Sequence, residues 1–519
     1  MTTVFAPPLV EASEPTTRAR RGFTRAAVLL GLVGFLVSVA GSWQPSYWGD
    51  EAASVLSAQR PLPSLFRMLG NVDAVHGVYY LLLHGWIDMF GASEFATRLP
   101  SALAIGAATA GTAVLARMLV NVRVAVIAAL VFAVLPRVTY MGAEARSTAL
   151  ATMIAVWCTV LLVHIVRSRP TTATVALSLW AGYAVLLGAG IAVFIYTALL
   201  VPVHGLLVAL LTRHSRRATV PAWIGGVAAA LALASPIISW GLAQRDQISF
   251  LARRPQASVL DAAVQQWFGT PSLAALAWLL IAVGCLAAFI PRFQGPGDGA
   301  RHERAPRAEL LVLLAWLVVP SATLLIGTHL ITPMYAYRYL SVCAPAAAIL
   351  VAVGIAGLRP FWARATTLLL MVALAAPGYL AQRSDFAKDY GSDWRQSADI
   401  LRVEARPRDA VVFDESTRPS RRPRLAMHLY PAAFVGLNDI TREDTFENTD
   451  GLWDSTIPLE AAAFRLAGTD RVWLLQNVGS RETTAGTYLA VLREAGFSIT
   501  SSRTINRTIL LEMTRQTVQ

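Results

Sequence analysis

Long apolar runs decide most of what this chain can become. Mainly apolar stretches fall near 26–43, 99–119, 122–140, 147–166, 173–190, 191–211, 219–241, 272–291, 309–327, 338–357 and 365–381. Runs of about 18 residues are what a helix needs to cross the apolar layer of a bilayer. No water reaches that layer, so each segment must bond its own backbone polar groups, which a helix does. The pattern predicts a polytopic α-helical membrane protein with about 11 transmembrane helices. The stretch 173–211 is one block, split only by Gly182, Gly188 and Gly190, and its division is the weakest boundary.

The formal net charge of +12 suggests a nucleic-acid partner until its distribution is examined. Residues 1–381 hold 26 Arg and 13 acids, whereas residues 382–519 hold 18 Lys and Arg against 19 acids. The excess therefore belongs to the apolar part, where short basic loops set orientation. No nucleic acid is expected. Cys158, Cys285 and Cys343 lie in apolar runs and read as small buried hydrophobes, without metal or disulfide spacing. Lys388 is the only lysine, which reads as a compositional bias. Arg18, Arg20, Arg21 and Arg25 precede the first run, and Ser38-Val39-Ala40 has the form of a cleavage site. With many spans following, the expectation is an uncleaved first helix behind a cytoplasmic tail, residues 1–25.

The segment from His76 to Phe90 is short for a crossing and carries His76, His84 and Asp88. Taken as an amphipathic helix on the membrane surface, it puts Arg18–Arg25, Arg117/Arg123, Arg167/Arg169, Arg213/Arg216/Arg217, Arg292–Arg307 and Arg359/Arg364 on one side. That side then holds 17 Arg against 9, so the positive-inside rule selects this arrangement over one in which the segment spans. The long first loop, 44–98, the segment at Glu144 and Arg146, and the tail 382–519 then all lie outside the cytoplasm. The tail is long enough for one small domain. Ala410–Phe413, Arg471–Leu475 and Thr508–Glu512 read as strands. Thr487–Ala495 reads as a helix stopped by Gly496, and Arg418–Arg424 as a loop. These features predict a small extracytoplasmic α/β domain after a transmembrane domain spanning 26–381.

Acids are rare in the apolar part, and a carboxylate beside a bilayer boundary asks for a functional reason. Asp50 and Glu51 follow Trp43, Tyr47 and Trp48, aromatics that suit a membrane interface and also the face of a sugar ring. One of the two acids suits a general base and the other its hydrogen-bonded partner; a solvated loop pair or helix cap is the bland alternative. Asp73 either caps the surface helix or faces a ligand. His76 suits an anionic group or a structural donor, and Tyr79 suits the headgroup layer. Glu144 and Arg146 can pair to hold a site in shape or simply open a helix. Arg338, flanked by Tyr335, Tyr337 and Tyr339, suits a phosphate, with snorkelling as its alternative. Arg253 and Arg254 are further phosphate candidates.

In these residues the chain resembles the GT-C glycosyltransferases (family 39-like), in the branch of protein O-mannosyltransferases and lipid A aminoarabinose transferase. Four segments carry the likeness: Tyr47-Trp48-Gly49-Asp50-Glu51; His76-Gly77-Val78-Tyr79-Tyr80 with Phe95-Ala96-Thr97-Arg98-Leu99-Pro100-Ser101; Glu144-Ala145-Arg146; and Tyr337-Arg338-Tyr339-Leu340. It covers about residues 24–380. Gly77-Val78 stands where the family commonly has Pro-Pro, and Ser147 stands where an acid often follows the Arg.

The resemblance implies a GT-C fold and a sugar donor on polyprenyl phosphate, with mannose or a pentose as the sugar. Asp50 is implied as the base that deprotonates an acceptor hydroxyl, with inversion at the sugar carbon, and Arg338, with Arg253 or Arg254, as the neutraliser of the leaving phosphate. The acceptor would be a glycan, lipid or protein. No cofactor is expected, since phosphate leaves readily; a divalent ion held by Asp50, Glu51 and Glu144 is the variant some relatives use. A lipid-linked sugar transporter or flippase is the alternative from another class. It would call for polar residues at mid-membrane and two related halves. A receptor or scaffold ranks behind it.

Overall fold

The computed structural model describes residues 17–168, 172–212, 216–247, 258–290, 307–479 and 482–516. Its helices run α1 (Thr17–Val39), α2 (Gly49–Gln59), α3 (Leu62–Asn71), α4 (Gly77–Phe90), α5 (Glu94–Leu119), α6 (Val122–Val134), α7 (Pro136–Met141) and α8 (Thr148–Arg167). They continue with α9 (Ala173–Val193), α10 (Leu200–Leu211), α11 (Arg216–Ala243), α12 (Val259–Gln265), α13 (Pro271–Phe289), α14 (Arg307–Leu330), α15 (Ala344–Gly357), α16 (Phe361–Ala381) and α17 (Trp394–Glu404). Among the described residues nine helices are long and apolar enough to cross a membrane. Two further apolar runs form shorter helices, Val122–Val134 and Ile195–Leu211.

Those two runs are where eleven expected crossings become nine of full length, and the backbone shows why. Pro136 offers no N–H and forces the residue before it out of the helical region. Leu135 duly sits at φ −58°, ψ 129°, ending α6 after 13 residues. The block 173–211 breaks at Phe194, which is extended at φ −157°, ψ 103°. A short 3-10 turn, Ile195–Leu199, follows and leads into α10. The break thus falls three residues beyond the division expected at 190/191.

The surface-helix expectation corresponds to α4, 14 residues long and closed by Gly91 at φ 77°. Leu82, Met89 and Phe90 turn outward, and at spacings of seven and eight residues they share one face. The other face, with Tyr79, Tyr80 and Leu83, packs on Leu65, Met68 and Leu69 of α3. Cys158, Cys285 and Cys343 are free thiols.

The tail forms the expected small α/β domain. Its strands are β1 (Ala410–Phe413), β2 (Asn438–Asp439), β3 (Arg442–Asp444), β4 (Ser455–Thr456), β5 (Arg471–Asn477), β6 (Phe497–Thr504) and β7 (Thr508–Arg515). Five make one sheet in the order β2-β1-β5-β7-β6, with β1 parallel to β2 and β5 and the other pairings antiparallel. The sequence reading missed β6, which is exposed over most of its length and carries Ser498, Thr500, Ser501, Ser502 and Arg503 where a core strand would carry apolar residues. The domain does not stand apart. Tyr47, Ala52, Val55 and Leu56, from the first loop and α2, share a buried cluster with Trp394, Leu401, Phe413, Leu425 and Trp473. Gly49 meets the domain so closely that a Cβ there would overlap the Ser420 carbonyl oxygen. The first loop and the tail, two regions in sequence, are one packed layer over the helix ends.

Candidate active site

The helix α2 begins at Gly49, so Asp50 and Glu51 occupy its first turn, where the positive end of the helix dipole favours carboxylates. Consecutive helical residues point about 100° apart, and the two acids consequently have different fates. Glu51 turns inward. It accepts Arg98 Nε on Oε1 at 2.7 Å and Nη2 on Oε2 at 2.6 Å, and the Ala145 N–H on Oε1 at 2.9 Å. Arg98 Nη1 also donates to the carbonyls of Ser42 and Pro45 at 2.7 and 2.8 Å. Both side chains are wholly buried. Glu51 is therefore not the hydrogen-bonded partner of Asp50 that the sequence suggested: its oxygens are taken up in a clamp joining the first loop, α5 and the Glu144 loop. The role of Arg98 was missed; its signal was its place in the Arg-Leu-Pro-Ser segment.

Asp50 faces a cavity of about 540 Å³. Its carboxylate accepts a hydrogen bond from Arg338 Nη1. Burial pushes the Asp50 carboxyl up, but the Arg338 and Arg146 guanidiniums outweigh it and hold the group below its ordinary value. Arg338 lies near the Trp48 and Tyr339 rings, with its guanidinium carbon 5.9 and 5.8 Å from the centroids. Tyr339 in turn stacks on Tyr196 at 4.5 Å.

Arg146 does not pair with Glu144, one of the two alternatives that the sequence left open. It donates to the Asp50 carbonyl at 3.1 Å and to Ser54 Oγ at 3.2 Å, and its Nη2 reaches His76 Nε2 at 3.1 Å. Arginine has no acceptor, so His76 Nε2 accepts and His76 is neutral. Burial and the neighbouring Arg146 push its pKa well down. His76 is therefore an acceptor that orients Arg146, not a cation awaiting an anion. Asp73 lines the same cavity with its backbone left-handed at φ 58°. Its side chain does not cap the surface helix; it accepts the Tyr80 hydroxyl at 2.7 Å, and burial raises its pKa. The Asp73 and Ala74 N–H groups donate to Gln247 and Gln244 at 3.1 and 2.9 Å, tying the loop to the end of α11.

Glu144 lines the cavity and is held in place by Ser101 Oγ, which donates to its carbonyl at 2.6 Å. Burial raises the Glu144 pKa, opposed first by Lys388. That lone lysine, taken from sequence as compositional, is buried with Nζ 3.9 Å from the centroid of the Tyr140 ring. Tyr79 is a packing residue of the α3–α4 core and lies off the cavity wall. Arg253 and Arg254 lie outside the described residues. Arg245, Gln244 and Gln247 do line the cavity and were not anticipated. Among the described residues no group of three His, Cys, Asp or Glu side chains converges as a metal would need.

The cavity has two chemistries. Asp50, Asp73, His76, Glu144, Arg146 and Arg338 supply charged and polar groups to its lining, Phe194, Ile195, Leu199, Leu242, Leu324 and Met334 supply apolar ones, and Ser420, Leu452 and Trp453 from the tail domain contribute to the wall. It fits an amphiphile with an anionic head.

The fold matches the crystal structure of ArnT from Cupriavidus metallidurans in the apo state, with a TM-score of 0.53 over 95% of this chain and 98% of that one, at 12% identity. The chain has the GT-C glycosyltransferase fold. The ArnT structure bound to undecaprenyl phosphate matches this chain with a TM-score of 0.52 and 13% identity, again over 95% and 98%. The Archaeoglobus fulgidus oligosaccharyltransferase in the apo form is similar at a TM-score of 0.49 and 11% identity, over 92% of this chain and 71% of that one. Residues 77–240 match the dolichyl-phosphate-mannose-protein mannosyltransferase family. No curated protein matches the chain. The family match takes in Arg98, Glu144 and Arg146 but stops short of Asp50 and Arg338, which only the GT-C fold brings to them.

Proposed function

We propose that this GT-C protein transfers a sugar from a polyprenyl-phosphate donor to an acceptor hydroxyl, on the extracytoplasmic face of the membrane. The observation that carries the reading is the Asp50–Arg338 pair in a cavity whose lining is otherwise largely apolar. The apolar walls suit the first isoprene units, and Arg338 suits the phosphate. The undecaprenyl phosphate bound to ArnT supports the class of donor.

In this reading Asp50 takes the proton of the acceptor hydroxyl. The acceptor oxygen attacks the anomeric carbon from the side opposite the phosphate. The bond from that carbon to the phosphate oxygen breaks, and both electrons leave with the lipid phosphate. A single displacement inverts the sugar configuration. Arg338 neutralises charge as it develops on the leaving oxygen, which is where preorganised electrostatics contributes most. Arg146, oriented by His76 and bonded to the Asp50 carbonyl, keeps the start of α2 in register with the cavity. Asp73 and Glu144 face the same space and suit hydroxyls of the sugar. Mannose heads the donor sugars, with a pentose behind it, and the acceptor is a glycan, lipid or protein.

The test is transfer by purified protein from polyprenyl-phosphate mannose and polyprenyl-phosphate arabinofuranose, read as release of lipid phosphate. Asp50→Asn is expected to cut turnover on the order of 10²–10⁴-fold, the usual worth of a general base. Turnover near wild type in a folded Asp50→Asn protein would remove Asp50 from the mechanism.

A further inference from the structure

Two roles meet in one contact. The guanidinium assigned to the donor's phosphate already donates to the carboxylate assigned to the acceptor. Neither group is sealed in: the Arg338 and Asp50 side chains are 26% and 27% exposed, and both line the cavity. This contrasts with Glu51, one residue on from Asp50, and its partner Arg98, which are wholly buried. Arg146, the other cation near Asp50, donates to the Asp50 carbonyl, Ser54 and His76, and none of these bonds goes to the Asp50 carboxylate. Trp48 and Tyr339 flank Arg338 and limit where its planar fork can go. A carboxylate that shares a guanidinium is a weaker base than a free one, because the cation stabilises its ionised form.

We infer that Asp50 and the donor's phosphate compete for Arg338, so that seating the phosphate draws the guanidinium off Asp50 and releases the base. This rests on the glycosyl-transfer reading above. Its consequence is an order: the donor arms the base, and an acceptor hydroxyl that arrives first meets a carboxylate still held by Arg338. Its second consequence is that Asp50, needed for turnover, works against binding of the lipid phosphate. A ligand that binds only one of two states loses affinity in proportion to the population of the other.

The experiment measures binding of undecaprenyl phosphate to the purified full chain in detergent, for wild type, Asp50→Asn, Asp50→Ala, Asp73→Asn and Arg338→Ala. Both Asp50 variants are expected to bind roughly fivefold tighter, the scale of a partly exposed ion pair, and Arg338→Ala to bind more weakly than wild type. Asp73→Asn removes a carboxylate from the same cavity without touching Arg338, so its gain is expected to be smaller. Asp50 variants that bind no better than wild type, or an Asp73→Asn gain equal to theirs, would overturn the competition and leave the glycosyl-transfer reading standing. A wild-type protein that does not bind the lipid phosphate at all would overturn both.

Discussion

Arg98 grips Glu51 through two parallel hydrogen bonds, of 2.7 and 2.6 Å, with no solvent at either side chain. The geometry is the bidentate fork that arginine makes with a carboxylate. Breaking a buried pair leaves one charge uncompensated, at a cost of about 3–5 kcal/mol. Arg98→Ala and Glu51→Gln are therefore both expected to lower the thermal unfolding midpoint sharply. Should Glu51→Gln keep wild-type stability and lose turnover, Glu51 would belong to the chemistry after all.

Asp50 sets a pH expectation. Its folded pKa lies below the ordinary carboxylate value, through Arg338 and Arg146 acting against burial. A group depressed on folding contributes stability above its unfolded pKa and loses it as pH falls through the folded one. In the proposed mechanism the same titration switches the base off. The acid limb of the kcat/KM profile, which reports the free enzyme, should therefore lie below the usual carboxylate range in wild type and shift upward in Arg338→Ala. A limb that stays put in the variant would show that Asp50 does not control it.

Lys388 makes the opposite use of pH. Burial, only partly offset by Glu144 and Glu51, brings it from an ordinary 10.5 down to about 8. Between these values the unfolded chain binds a proton that the folded one does not, so stability rises with pH across that window. A shift of this size corresponds to something on the order of 3 kcal/mol. Lys388→Met is expected to flatten the rise. Thermal unfolding at pH 7.5 and 10 measures it, and an unchanged slope would mean that other groups produce it.

The proposed orientation is open to labelling. Val435 of the tail domain is exposed, and Arg217 at the start of α11 is exposed near the other end of the helices. In intact cells an impermeant thiol reagent is expected to reach Val435→Cys and to miss Arg217→Cys. Reversed labelling would put the site in the cytosol and end the proposal. Ser57, on α2 in the first loop, is buried and unsuited to the same test.

Much of the architecture was written in one-dimensional pattern. Apolar runs located the membrane helices, and the change in composition after residue 381 located the α/β domain. The rest depended on contacts. Pro136 ends α6 by a local rule that a hydropathy count does not apply. The break at Phe194 shows no proline or charge, and it opens a wall of the cavity through Phe194, Ile195 and Leu199. The polar strand β6 is held as an edge by β7 and lacks the apolar signal of a core strand. Lys388 looked like a codon habit until Tyr140 and Glu144 were found beside it.

The sequence by itself determined the class of molecule, because burying backbone in hydrocarbon leaves only self-bonded helices for runs of that length. It also placed carboxylates and arginines at the helix ends. Only the tertiary structure decided which acid meets the cavity. Asp50 and Glu51 are neighbours in the chain, yet one side chain pairs across 288 positions with Arg338 and the other across 47 with Arg98. Adjacent helical side chains diverge, and packing against distant elements, not sequence order, settles what each one touches.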